Sequence, residues 1–536
     1  MSELKTLYRH AFHYLSGRVC LMLLGFLSFP VFTRVFSVSD YGVMGLVLKV
    51  VLLLTVVGKF GLQNSVQRFY AAEGASSDRA VSRRYYSTLF FGTGATGAAV
   101  MAVFVALLFF TPATVFNPDL RYLFLFTAAL ILIRSLQPTL IGFLRAEGKT
   151  KTYNALEIGV KAATVLLSCS LLLIWKRTLT VFFGSTIAVE TLGILVLILY
   201  LYRRELLDFK SVDWNYFRGL AVFAFPLIGY EVASVILDSG DRLLVQHYMG
   251  SQPLGYYSAA YNVSTYIEES LMVPINLALF PIYMKLWVEK GKDETQQFLS
   301  RSLNNFLALA LAVVCIVLLV SRDVIVVLAS RRFQEAHRLL PVLVIGLLVY
   351  AVHIFLNAAL LIHKKTATMT SLVIYACVVN VVLNIILIPR IGLQGAAVAT
   401  LLSYLFLVVL MGRISFRLLP LKINYFGFAC NTLAALLTFV VIRPLEFHIP
   451  LVNAAVRSML ALLVYALLVC VLNPAIRQEL LQRLRSRRRS EVQSEVQSEV
   501  QSEVQSEPQS QAQSHDAEAG EQTCVAGPIT VGGSLR

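Results

Sequence analysis

Apolar runs of about twenty residues recur from near the start of this chain to position 472, and a soluble fold has no core large enough to take them all. In a bilayer each peptide group must find its partner within its own segment or in a closed barrel. A barrel needs strands of alternating character, whereas Leu123 to Ile133 and Leu192 to Leu201 are apolar on every face. Helices are therefore expected. With 57% hydrophobic and 14% charged residues among 536, the composition suits a lipid environment.

Polar interruptions place spans near 12–34, 41–66, 85–111, 120–144, 152–175 and 178–202. A second series runs near 217–238, 254–284, 299–320, 338–362, 366–388, 393–416, 422–442 and 449–472. The fold class is an all-α polytopic membrane protein of about fourteen spans. The opening residues carry Lys5 and Arg9 but no small-residue cleavage site, and read as a retained first span.

Short loops rich in Lys and Arg favour the cytoplasm. Arg79, Arg83, Arg84, Lys285, Lys290, Lys292, Lys364, Lys365 and the Arg483 to Arg489 cluster fall on one side if both termini are cytoplasmic. The segment from Arg322 to Arg338 breaks this rule. The net charge of +15 then follows from topology and from contact with anionic membrane lipids, and no nucleic-acid partner is needed. The seven cysteines lack paired spacing, so neither a disulfide frame nor a metal site is indicated. After Arg489 a Ser-Glu-Val-Gln repeat begins a polar tail expected to be disordered.

Tyr41-Gly42 and Leu254-Gly255 match at an offset of 213 residues, Lys149-Thr150 and Lys365-Thr366 match at 216, and Pro30 corresponds to Pro226. These matches divide the chain into two pseudo-symmetric six-helix bundles, 1–210 and 211–417, around a central cavity. Two further helices occupy 418–475, and 476–536 is the tail. The two prolines would weaken spans one and seven where a moving helix needs to bend.

The chain carries Pro30-x-x-Thr33-Arg34, Asp40-Tyr41-Gly42, Phe225-Pro226, Asp241-Arg242, Leu254-Gly255-Tyr256-Tyr257-Ser258-Ala259-Ala260-Tyr261, and a long pattern from Asn380 and Asn384 through Pro389, Gly392, Gly395, Ala396 and Ala397. This text resembles the polysaccharide flippases, including the O-antigen flippases, of the multidrug/oligosaccharidyl-lipid/polysaccharide exporters. The resemblance implies alternating-access movement of an undecaprenyl-diphosphate-linked oligosaccharide from the cytoplasmic to the outer leaflet of a bacterial inner membrane. It implies no enzymatic step and no cofactor beyond a coupling H+ or Na+. Other polysaccharide assembly proteins are candidate partners. The Gly392 to Ala397 cluster itself reads as close helix packing.

Ionisable residues inside a span are costly and usually face a cavity or a partner. Arg134, Lys49, Lys59, Arg18 and Lys161 lie within first-half spans and are candidates to bind an anionic diphosphate. Arg134 sits deepest from the cytoplasmic side, Arg18 and Lys59 can snorkel, and Lys161 can instead pair with Glu157 one turn away. Glu231, Glu268 and Glu269 are candidates for ion coupling or gating, joined by Asp241 and Arg242, whose adjacent charges also suit a loop lock at the end of span seven. Gly142 to Thr150 has five residues between its glycines where a phosphate-binding loop has four, and it follows a membrane helix, so ATP-driven transport is unsupported. A multidrug or cation antiporter is the rival within transporters. A membrane glycan polymerase or glycosyltransferase is the rival among enzymes.

Overall fold

The structure is a computed structural model describing residues 2–112, 117–474 and 476–478. No strand occurs among the described residues. The chain runs through α1 (Ser2–Val35), α2 (Val38–Gly58), α3 (Leu62–Phe69), α4 (Arg79–Phe110), α5 (Pro118–Thr127), α6 (Ala129–Ala146), α7 (Thr150–Ile174) and α8 (Leu179–Arg203). It continues with α9 (Trp214–Ser239), α10 (Asp241–Met249), α11 (Ser251–Glu289), α12 (Gly291–Ala329), α13 (Leu340–Ala351), α14 (His353–Ile362), α15 (Thr366–Ile391) and α16 (Leu393–Leu418). Helices α17 (Tyr425–Ile442) and α18 (Pro450–Leu472) follow.

Thirteen of these helices, counting α5–α6 and α13–α14 as single spans, are long and apolar enough to cross a bilayer. Helix α9, bent by 47° between Trp214–Phe225 and Leu227–Ser239, brings the total to fourteen. The bend falls where the sequence places Pro226. Helix α1 runs unbroken through Pro30. Large apolar side chains turn outward as lipid-facing helices require, with Phe110 and Ile174 each 85% exposed.

Met1–Leu468 forms one compact unit. The expected boundary after 210 falls in the short turn Phe209–Ser211 between α8 and α9, and the one after 417 falls at the end of α16. A second unit, Val469–Arg536, begins with the last turn of α18. The Ser-Glu-Val-Gln tail and the arginine cluster before it lie outside the described residues.

Helix starts carry the side-chain acceptors that exposed N–H groups need. Ser37 accepts from the Asp40 N–H, Asp78 from Ala80, and Asp213 from both Asn215 and Tyr216. Between α15 and α16 the chain reverses at Gly392, whose φ of 62° and ψ of −140° suit only glycine. A Cβ on Gly395 would lie 2.4 Å from the Leu387 carbonyl oxygen. The Asn384 to Ala397 pattern is thus a helix-hairpin packing device.

Among the boundaries that differ from the sequence reading, such as α12 running over Gly291–Ala329 where 299–320 was expected, two bear on candidate site residues. Span two ends at Gly58 instead of 66, because Phe60 and Gly61 adopt φ of 51° and 67° and turn the chain into α3. Lys59 is consequently the C-cap of α2, not an interior residue. Beyond α9 the chain passes directly into α10, so Asp241 and Arg242, each 1% exposed, are core residues and not a loop lock.

Candidate functional site

Helices α1 to α3 meet α9, α11 and α12 along a seam. At one end Arg34 donates from Nη2 to the Val327 carbonyl at 2.8 Å and from Nη1 to Leu328 at 3.2 Å. These carbonyls belong to the unpaired C-terminal turn of α12, where a cation is favoured. Nearby, Asn262 donates to the Tyr41 hydroxyl at 2.7 Å, and the Tyr41 ring stands edge-on to Phe333. The Thr33-Arg34 and Asp40-Tyr41-Gly42 text is therefore seam chemistry.

At the middle of the seam, Lys49 of α2 pairs with Asp238 of α9 at 2.9 Å. Asp238 also accepts from Ser239 at 2.5 Å and from Tyr261 at 2.7 Å. Beneath it Asp241 accepts from Tyr257 and Thr400, and the Arg242 guanidinium lies 4.4 Å from the Tyr261 ring centroid. Two carboxylates and two cations thus share one tyrosine-rich cluster, which balances their charges.

At the far end, Lys59 pairs with Glu231 at 2.6 Å and Gln63 donates to the same carboxylate at 2.7 Å. A Cβ on Gly61 would come within 2.9 Å of the Ala224 carbonyl oxygen, and Arg68 lies 4.4 Å from the Phe223 ring centroid. Side-chain contacts thus bridge the seam at both ends.

Within the first six spans lies a cavity of about 260 Å³ bounded by α1, α2, α6, α7 and α8. Its polar lining includes Arg134, Gln137, Glu157, Lys161 and Glu190. Arg134 is engaged bidentately by Glu190, Nε at 2.9 Å and Nη2 at 2.8 Å. Lys161 has no ion pair within 4 Å among the described residues, and the charges whose fields reach it are Arg134 and Glu190. Its expected pairing with Glu157 does not form, although both line the cavity. The volume falls below the roughly 300–1,000 Å³ that encloses drug-sized ligands. The lining carries two cations, Arg134 and Lys161, and two carboxylates, Glu157 and Glu190.

The sequence-derived candidates therefore separate. Arg134, Lys49 and Lys59 are each held by a carboxylate, and Lys161 alone of the five faces the cavity without one. Arg18 is exposed, and with Lys49 it supplies the positive field reaching Glu269. Glu268 and Glu269 are half-buried in α11 and form no ion pair among the described residues, whereas Glu231 is half of a seam lock. Three of the five candidate cations thus already have a carboxylate partner, Glu190, Asp238 or Glu231. Glu190 was legible as a lone carboxylate inside an apolar run, the same signal that singled out the cations, whereas Asp238 stood at the expected end of span seven beside Asp241-Arg242. Tyr257, Tyr261 and Tyr404 carried no comparable signal, since tyrosine is common in membrane helices. No cluster of metal-ligating side chains occurs among the described residues.

A second polar cluster lies outside the spans. Glu147, at the end of α6, accepts from Lys149 at 2.6 Å, Arg204 at 2.7 Å and Tyr86 at 2.8 Å. Burial pushes its carboxyl upward, but the Lys149 and Tyr86 hydrogen bonds and the Arg204 charge outweigh that and hold it below the ordinary value. The bond to Glu147 correspondingly raises Lys149. This cluster ties the α6–α7 turn to α8.

Residues 7–287 match the sequence profile of the family described as polysaccharide biosynthesis protein. A curated relative, the probable low-salt glycan biosynthesis flippase Agl15 of Haloferax volcanii, is 23% identical over 219 residues, covering 39% of this chain and 46% of that protein. The alignment thus spans less than half the relative's length. Among solved structures, a lipid II flippase MurJ in an inward closed conformation superposes with a TM-score of 0.68 at 15% identity, covering 88% of this chain and all of that one. An inward-facing multidrug transporter of the MATE family, within the MOP superfamily, gives 0.59 at 12% identity over 76% of this chain and 97% of its own. At such identities these likenesses show a shared transporter fold.

Proposed function

This chain belongs to the polysaccharide biosynthesis protein family, and on that premise we propose that it is a flippase for an undecaprenyl-diphosphate-linked oligosaccharide. The cargo would be an O-antigen, capsule or exopolysaccharide repeat unit moved from the cytoplasmic to the outer leaflet of a bacterial inner membrane. Both termini would be cytoplasmic, and no covalent step takes place.

The observation that carries this reading is Lys161, a cavity-lining ammonium in a membrane span without a counterion at ion-pair distance. Lipid offers such a group nothing in exchange for its lost hydration, so an anion brought by the cargo is its natural partner. The diphosphate is that anion. Arg134 would reorient toward it only by leaving Glu190, and this exchange would sense cargo.

Alternating access supplies the motion. The two halves, 1–210 and 211–417, would rock about the seam, breaking the Lys59–Glu231 lock when one side opens and the Arg34 clamp when the other does. Uptake of H+ or Na+ at Glu268, Glu269 or the Asp238–Asp241 cluster would couple this to an ion gradient.

Glu157, a carboxylate in the same cavity without an ion pair among the described residues, favours a second reading as a drug or cation antiporter. Deleting the gene separates them. Accumulation of lipid-linked repeat units on the cytoplasmic leaflet is expected for the flippase, whereas normal glycan with altered drug tolerance would establish the antiporter.

A further inference from the structure

The arginines that break the positive-inside pattern do not remain in a loose loop. Two of them, Arg322 and Arg331, converge with two more on a cleft of about 740 Å³ between the C-terminal end of α12, the turn Arg331–Arg338, and the facing ends of α17 and α18. Its lining includes Arg322, Arg331, Arg443 and Arg457 against only Asp323 and Glu446, an excess of two positive charges. None of the four guanidinium groups lies within 4 Å of a carboxylate among the described residues. Asp323 is already engaged by Asn453 at 2.7 Å.

The most informative of these residues is Arg457. It is 6% exposed, lines the cleft, and donates from Nη2 to the Arg443 carbonyl at 3.2 Å while its Nε has no partner. A buried guanidinium with an unsatisfied donor costs free energy until an acceptor arrives. Arg322 is held from the other wall: with the Gln334 amide oxygen turned toward it, Nε and Nη2 donate at 3.1 and 3.0 Å. The cleft is thus built in advance, with all its fixed cations arginine, the side chain suited to planar, forked recognition of phosphate oxygens.

Its surroundings identify the source of that phosphate. Phe439 and Phe447 form apolar walls, and next to lining residues in the chain Val440 of α17, Ile449 just before α18 and Leu451 of α18 are 67%, 61% and 62% exposed. A soluble anion would gain nothing from that apolar margin, whereas a lipid places acyl chains on it and its headgroup in the cleft.

We propose that this cleft is a binding site for the phosphate-bearing headgroup of an anionic membrane lipid. The inference is independent of the transport reading, since it concerns a different cavity and needs no cargo. On the orientation expected from the sequence, the site faces away from the cytoplasm, where topology gives no reason to collect arginine.

The test is lipid binding to the full-length, detergent-solubilised protein by native mass spectrometry. Phosphatidylglycerol, phosphatidylcholine and inorganic pyrophosphate serve as probes. The variant Arg322→Gln/Arg443→Gln removes two exposed cations and spares the buried Arg457, while Arg338→Gln removes an exposed arginine that pairs with Glu335 outside the cleft. Phosphatidylglycerol affinity is expected to fall roughly tenfold to thirtyfold in the double variant. It should hold in Arg338→Gln, and wild type should prefer phosphatidylglycerol to phosphatidylcholine. An equal loss in Arg338→Gln, no loss in the double variant, or pyrophosphate binding as tight as that of phosphatidylglycerol would overturn the proposal. The last outcome would leave a site for free anions.

Discussion

Gly42 of α2 and Gly255 of α11 press backbone against backbone, so that a Cβ on Gly42 would lie 2.7 Å from the Gly255 nitrogen and 2.4 Å from the Ser251 carbonyl oxygen. The reciprocal Cβ on Gly255 would lie 2.0 Å from the Val38 carbonyl oxygen. Backbone atoms cannot swing aside as a side chain can, so each methyl must push the helices apart. Gly255→Ala and Gly42→Ala are expected to destabilise the protein by about 1–3 kcal/mol. Thermal unfolding in detergent measures this, with Gly159→Ala as a control whose added methyl meets nothing within 4 Å. Equal unfolding temperatures for all three variants would contradict the packing argument.

The Arg134–Glu190 pair leads to a charge-swap experiment. Glu190→Gln leaves a mostly buried guanidinium without its bidentate acceptor, which should cost roughly 3 kcal/mol of stability and most of the transport. Exchanging the two residues restores the pair. Recovery of thermal stability without recovery of lipid-linked glycan transport would mean that position 134 needs its positive charge for cargo; recovery of both would make the pair purely structural.

The contrast between those two sites shows what the sequence could carry. Gly42 and Gly255 were visible as matching positions at an offset of 213 residues, but their direct contact was not. Helix number and the intramembrane cations were likewise legible, because bilayer thickness and charge burial constrain one-dimensional text. Pairing across the fold was not. Lys49 meets Asp238 189 residues away, and no local spacing encodes that contact. The turn at Phe60 was hidden because phenylalanine rarely adopts positive φ. Asp241 and Arg242 looked like a loop because the break at Gly240 resembles a span end, while only their tertiary partners reveal that they are buried.

The Lys59–Glu231 bridge across the seam makes Lys59→Gln informative. Without its ammonium, Glu231 keeps the Gln63 hydrogen bond but no ion pair among the described residues, and the end of the seam near α3 should open more readily. A cysteine introduced at Ala224, behind that contact, should be alkylated several-fold faster in Lys59→Gln membranes than in wild type. Unchanged labelling would show that this pair does not gate access.

Glu147 gives the pH dependence of the α6–α7 turn. A carboxyl held below its ordinary value stabilises the fold above the unfolded carboxyl range, and that contribution is lost as pH falls through the lowered folded value. Lys149, whose value is raised, contributes below the unfolded lysine range and loses that contribution as pH rises through the raised value. Glu147→Gln should therefore cost roughly 2 kcal/mol at neutral pH and almost nothing in strong acid. Unfolding temperatures of wild type and variant across pH should converge on the acid side; parallel curves would remove Glu147 as the titrating group.

Lys161 is the residue on which the anionic-cargo reading turns. Because it has no ion pair to lose, Lys161→Gln should leave the unfolding temperature within about 0.5 kcal/mol of wild type in free-energy terms, or raise it slightly through relief of a buried charge. Transport, followed as the fraction of lipid-linked glycan reaching the outer leaflet, should fall at least about tenfold if the ammonium meets the diphosphate. Lys161→Arg keeps the charge and should retain a larger share of activity, while Glu157→Gln should leave anionic-glycan transport intact. If Glu157→Gln abolishes transport and Lys161→Gln does not, the cavity selects a cation and the antiporter reading replaces the flippase.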